Sequence, residues 1–216
     1  MANNDTIGLA QFLLDYPKMA NRPALGTHLR LKGIFEFIGN HPTHGQVEDA
    51  FGLQIDVPAA FPREIPEVKE IGGRIPRIGD FHINGDGSLC LGSHLRLLLK
   101  LNEAPTLVGF AERCLVPYLY AISKKLTNGG KLVFGELAHE GPGMLQDYAQ
   151  LFGLTTEDQT HYALELLGKK KRVANKLRCP CGCKLRLGRC KLNRRLLRYR
   201  SLASRGWFKR QLLLGQ

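Results

Sequence analysis

His28-Leu29-Arg30-Leu31-Lys32-Gly33-Ile34-Phe35-Glu36-Phe37-Ile38 alternates polar and apolar side chains. A period of two sends successive side chains to opposite faces, so this stretch reads as a half-buried strand. Residues 39–45 are turn-rich. Phe51, Leu53, Ile55 and Val57 then repeat at the same period, which makes residues 46–57 a second strand. Val68-Lys69-Glu70-Ile71 is a short third strand, ended by Gly72-Gly73. Strands that follow one another through short polar turns predict an antiparallel meander. In front of it, residues 6–19 carry Ile7, Leu9, Ala10, Phe12, Leu13 and Leu14 and then Tyr16-Pro17, an amphipathic helix closed by the proline. Behind it, residues 94–101 are leucine-rich, and Leu107, Phe110, Ala111, Cys114, Leu115, Leu119 and Ile122 fall at helical spacing. Pro117 predicts a bend in that helix, Asn128-Gly129-Gly130 its end, and Cys114 lies on its apolar face among the core residues. Residues 144–152, ended by Gly153, and 161–177, basic in their second half, predict two more helices. A helix, a meander and then helices make an α+β fold.

The chain has 216 residues, 44% of them hydrophobic, enough for one domain and a small module. No run reaches the roughly eighteen apolar residues of a membrane span. The start, Met1-Ala2-Asn3-Asn4-Asp5, lacks the basic region of a secretory signal, which predicts a cytoplasmic protein with reduced thiols. Six cysteines in such a compartment point to metal binding or catalysis rather than to disulfides. The net charge of +12 is unevenly spread: residues 169–216 hold 17 of the 31 basic residues and no acidic one, so the rest holds 14 basic against 19 acidic. An acidic body with a basic tail predicts contact between residues 169–216 and nucleic acid or an acidic protein surface, with a solvated helix face as the plain alternative. Trp207-Phe208 in that tail could stack on bases or pack against its own module.

Two segments carry the chemistry of the front part. Val57-Pro58-Ala59-Ala60-Phe61-Pro62-Arg63-Glu64-Ile65-Pro66 has three prolines at intervals of four, each after an apolar residue, and must leave the strand in extended form. Phe81-His82-Ile83-Asn84-Gly85-Asp86-Gly87-Ser88-Leu89-Cys90-Leu91-Gly92 follows, a glycine-rich stretch with a histidine and an asparagine ahead of one cysteine. A thiolate is both nucleophile and leaving group, so a cysteine can accept an acyl group and pass it on.

Together these two segments resemble the catalytic core of the ubiquitin-conjugating enzymes, over roughly residues 5–125. In that family a sheet strand ends in a proline-spaced loop, and a His-Pro-Asn-like segment then runs to the catalytic cysteine. The resemblance implies that Cys90 carries a ubiquitin-like protein as a thioester, received from an activating enzyme and passed to a protein lysine or other acceptor. The family's asparagine commonly sits eight residues before the cysteine; here that residue is His82, and Asn84 is six before. Either Asn84 keeps the asparagine's role in a shortened loop, or His82 has taken its place. We favour His82, since histidine can donate to an oxyanion or act as a base near neutral pH. The Trp-Ser-Pro segment that commonly follows the cysteine is absent, with Asn102-Glu103-Ala104-Pro105 a loose substitute, as in a divergent prokaryotic-type relative.

Cys179-Pro180-Cys181-Gly182-Cys183, followed by Cys190, places four thiols within twelve residues, the donor set of a closed structural zinc site. It resembles the SEC-C type zinc motif, whose Cys-Pro-Cys start and later cysteine match Cys179, Cys181 and Cys190. Lys191 stands where that motif has its last ligand, so the fourth is Cys183 or is borrowed from elsewhere. The whole reads as a ubiquitin-conjugating-like domain over 1–153 and a basic helical segment with a zinc knuckle over 154–216. The alternatives are a catalytically inactive adaptor that binds a modifier, and a nucleic-acid-binding protein acting through the tail.

Overall fold

The structure is a computed structural model, and it describes residues 7–24, 29–129, 132 and 140–214. Thr6, His28 and Gly130, which the sequence places at element ends, lie outside the described residues. The chain falls into two compact units, Met1–Glu136 and Leu137–Gln216.

The first unit is α+β. Helix α1 (Leu9–Asp15) precedes a four-stranded antiparallel sheet of β1 (Met19–Arg22), β2 (Leu29–His41), β3 (Gly45–Val57) and β4 (Glu67–Glu70), paired in chain order. The alternation in the sequence appears directly in the burial: Leu31, Phe35 and Phe37 on β2 and Phe51, Leu53, Ile55 and Val57 on β3 face the core. The turn between them is narrower than the glycines suggest. β2 runs through Gly39 to His41, which pairs with Gly45, and Tyr120 donates from its hydroxyl to the Gly45 carbonyl at 2.8 Å. The first helix is shorter than its apolar pattern, and Met19–Arg22 pairs with β2 as an edge strand of four residues, too short to show a period.

Helices cover the inner face of this sheet. α2 (His94–Glu103) buries Leu95, Leu97, Leu98 and Leu101. α3 (Leu107–Phe110), capped by the Thr106 hydroxyl accepting from the Gly109 N–H, runs through a π-helical segment (Ala111–Leu115) into α4 (Val116–Asn128). The widened turn immediately precedes Pro117, which has no N–H for the Arg113 carbonyl and whose ring crowds it. Cys114 is 1% exposed, and burial lifts its thiol pKa to about 11, as suits a core residue.

The second unit is helical: α5 (Glu140–Phe152), α6 (Glu157–Gly168), α7 (Lys171–Ala174), α8 (Lys191–Leu202) and α9 (Arg205–Leu214). The sequence boundary after residue 153 leaves α5 with the sheet, whereas contacts group α5 with these later helices. The reason is its buried face. Tyr148 and Phe152 are fully enclosed, the Tyr148 hydroxyl donates to Gln211, and Phe152 meets Tyr199 edge-on at 5.1 Å. Gly153 closes α5 at φ 67°, and a Cβ there would sit 1.7 Å from the Arg195 guanidinium, which donates to the Phe152 carbonyl. The single helix expected over 161–177 is two, broken after Gly168. The Arg200 guanidinium takes the carbonyls of Leu166, Leu167 and Lys169, which ends α6. Trp207 and Phe208 are buried where α9 packs on α6. Among the described residues no helix is long and apolar enough to cross a membrane.

Candidate functional sites

Cys90 stands at the end of a small hairpin. The Ile83–Leu89 bridge and the bonds Asn84 N–H to Ser88 C=O and Cys90 N–H to His82 C=O, both 2.8 Å, fold residues 82–90 back on themselves. Gly87, at φ 81°, makes the turn without a Cβ penalty. The returning strand also docks on the sheet, through the Lys69–Ser88 bridge and the Leu89 N–H donating to the Val68 carbonyl at 2.8 Å. Leu89 is buried in the core, and Cys90, the next residue, is half-buried. This is how one apolar anchor fixes the height of the thiol above the sheet.

His82 and Asn84 are placed differently in this hairpin. Asn84 is committed to the loop: its side-chain amide donates to the Ser88 hydroxyl at 2.9 Å, and Asp86 accepts from both the N–H and the hydroxyl of Ser88. His82 lies directly across from Cys90 through the backbone bond. It holds a left-handed conformation, φ 52° and ψ 50°, that asparagine and histidine enter more readily than most side chains. It follows a 3-10 turn (Gly79–Phe81) pinned by α4, where the Tyr118 hydroxyl donates to the Phe81 carbonyl at 2.8 Å and Lys125 donates to the Asp80 carbonyl at 2.7 Å. Burial raises the Tyr118 pKa, and the neighbouring Cys90 and Glu70 charges raise it further, so the phenol stays protonated beside the thiol. Tyr118 could not be picked out from the sequence, because nothing in a helical stretch marks which side chain reaches a distant carbonyl.

Burial also raises the Cys90 thiol pKa above the ordinary cysteine value, opposed by a hydrogen bond from the Gly92 N–H. The group is a neutral thiol near pH 7, with a backbone donor in place for negative charge on sulfur.

Upstream of the hairpin, Glu70 at the end of β4 accepts from the N–H groups of Gly72, Gly73 and Arg74, the first two at 2.8 and 2.9 Å. Arg74 then reaches back to Asp49 at 2.7 Å and lies over the Phe51 ring. These contacts fix the loop that leads to the site.

In the second unit the four sulfurs of Cys179, Cys181, Cys183 and Cys190 lie within 4.8 Å of one another, and could hold a metal ion. Cys179 to Cys181 is 3.2 Å, Cys181 to Cys190 is 3.7 Å and Cys183 to Cys190 is 3.6 Å. Tetrahedral thiolates at the usual zinc–sulfur bond length stand about 3.8 Å apart, so the set fits such an ion without borrowing a ligand. A hairpin positions the first three: Cys179 N–H donates to the Leu185 carbonyl and Leu187 N–H to the Leu177 carbonyl, at 2.9 and 2.8 Å. A 3-10 turn (Leu187–Arg189) then delivers Cys190 to the start of α8. Each sulfur is aided by the amide two residues on: Cys181 for Cys179, Cys183 for Cys181, Leu185 for Cys183, and Leu192 for Cys190 at 3.4 Å. Burial raises the Cys179 and Cys181 thiols, while the Leu185 N–H lowers that of exposed Cys183.

No protein-family model, curated protein or solved structure matches the chain.

Proposed function

We propose that this chain carries a ubiquitin-like protein as a thioester on Cys90 and transfers it to an acceptor, as ubiquitin-conjugating enzymes do, while the cysteine knuckle holds a structural zinc. The observation that carries the reading is the pairing of Cys90 with His82 across the hairpin, while Asn84 is spent on the loop. The order of elements agrees with it: a helix, a meander, a proline loop, the cysteine hairpin and then helices. The proline loop is not extended as its sequence predicts but folds into turns, with Phe61 N–H donating to the Pro58 carbonyl and Arg63 N–H to the Ala60 carbonyl.

The chemistry is two acyl transfers that balance without an oxidant. The Cys90 sulfur attacks the thioester carbonyl of the modifier on its activating enzyme. A carbon–sulfur bond forms, another breaks, and the Cys90 proton leaves with the departing thiol. An amine of the acceptor then attacks, a carbon–nitrogen bond replaces the carbon–sulfur bond, and Cys90 recovers a proton as the thiol. Burial keeps Cys90 a neutral thiol at rest, so its proton must leave as the sulfur attacks. During each attack the carbonyl oxygen becomes an oxyanion, and His82 is the side chain we assign to its stabilisation.

With a cognate activating enzyme, modifier and ATP, the wild-type protein forms an adduct that a thiol reductant removes. Cys90→Ser forms at most a reductant-resistant oxyester, Cys90→Ala forms none, and Cys114→Ser charges like wild type. A thioester that persists in Cys90→Ala overturns the assignment.

A further inference from the structure

Arg178 and Arg186 form an isolated antiparallel bridge in the knuckle hairpin. The bonds on either side, Cys179 N–H to Leu185 C=O and Leu187 N–H to Leu177 C=O, make this rung a non-hydrogen-bonded pair. Backbones at such a rung are closest, with Cα atoms about 4.5 Å apart and both side chains on the same face. Two like charges directly opposite each other destabilise a hairpin. Neither arginine has a carboxylate partner among the described residues, and both are exposed. The sequence offers no acidic residue from 169 to the end to relieve them.

We propose that this arginine rung binds the phosphate backbone of a nucleic-acid duplex. It does not rest on a thioester at Cys90. The guanidinium fork suits the two free oxygens of a phosphodiester, and two forks side by side on one face present an anion site that a single strand edge cannot. Lys184, Arg189, Lys191 and Arg194 are also exposed on the same knuckle and the start of α8. A metal held by four thiolates carries a net charge of about −2, which offsets part of this charge and leaves an excess. Uniform positive charge matches the uniform charge of a duplex better than the mixed signs of a protein surface. The recognition is of backbone and not of bases. Trp207 and Phe208, which the sequence offered for stacking, are 8% and 1% exposed and belong to the core.

The test uses the full chain, metal-loaded, in fluorescence-anisotropy titrations against a mixed-sequence DNA duplex, the matching single strand and polyglutamate. The wild type binds the duplex in preference to both, independently of sequence, with log affinity falling linearly against log salt. Arg178→Gln/Arg186→Gln, checked for metal content and helicity, reduces that salt slope by about 2 and weakens binding roughly 50-fold at about 0.1 M salt. Arg205→Gln/Lys209→Gln, with the same charge loss on α9, changes both by much less. Absence of duplex binding at low salt, equal loss in the α9 variant, or tighter binding of polyglutamate or single strand overturns the proposal.

Discussion

Cys90 and the knuckle cysteines receive the same backbone device, a hydrogen bond to sulfur from the amide two residues on, and are set for different chemistry. At Cys90 there is one sulfur, half-buried, on a residue whose N–H pairs with the His82 carbonyl, with a tyrosine nearby that cannot take its proton. In the knuckle four sulfurs lie within 4.8 Å, so the charge that each amide supports could be shared on one metal ion. Number and spacing, more than the environment of any one thiol, separate the proposed acyl carrier from the candidate metal site. The comparison also separates sources of order. The sheet and its helices hold the Cys90 hairpin from a large apolar core, whereas the knuckle has little beyond Leu187 and Leu192 buried beside it.

The largest effect follows from that last difference. Structural zinc supplies on the order of 10 kcal/mol to a small thiolate site. Chelation is therefore expected to unfold residues 177–190 while the near-UV signal of the first unit and thioester formation on Cys90 persist. Circular dichroism with metal analysis measures both. Loss of the first unit on chelation would break the comparison.

A smaller effect sharpens the acyl side. Removing an oxyanion donor costs about 10²–10³ in rate. His82→Ala is expected to slow discharge of the charged protein by that order, and also to lower the melting temperature, because the side chain is buried. Asn84→Ala should lower the melting temperature alone, by removing the donor to the Ser88 hydroxyl, and leave discharge rates near wild type. Single-turnover discharge assays decide between them, and the reverse pattern would return the role to Asn84.

The smallest effect concerns the loop scaffold that leads to Cys90. Burial raises the Asp49 carboxyl pKa, but hydrogen bonds from Arg74, Ser123 and the Ala50 N–H outweigh it and hold the group below the usual range. A depressed folded-state pKa contributes stability above the unfolded value, and that contribution is lost as pH falls through the folded value. Arg74→Ala is expected to cost on the order of 1 kcal/mol at neutral pH, since the pair is partly exposed. The cost should shrink toward acid pH, which urea melts at a series of pH values would measure.

Much of this architecture was legible in the residues. β2 and β3 were, because Leu31, Phe35, Phe37, Phe51, Leu53, Ile55 and Val57 keep period two and the sheet buries one face. The knuckle was, because thiolate spacing constrains geometry more tightly than any propensity. β1 was not, since four residues at a sheet edge carry no period. The break after Gly168 was not, because Arg200, 32 positions further on, makes it. That Asn84 is bonded within the loop was not legible, because it depends on how the hairpin turn is closed. The Arg178–Arg186 rung was hidden for the same reason: register, not composition, sets two arginines opposite each other.

The division between one reactive sulfur and four metal-held ones is tested most directly by mapping alkylation of all six cysteines in a single metal-loaded preparation. Peptide mass spectrometry after timed iodoacetamide labelling would follow each thiol. Cys90 is expected to label first, at a rate that climbs with pH beyond the ordinary cysteine range because burial raises its pKa. Cys179, Cys181, Cys183 and Cys190 should label only after chelator is added, and Cys114 only on unfolding. Knuckle cysteines that label as fast as Cys90 without chelator, or a Cys90 as protected as Cys114, would contradict the account.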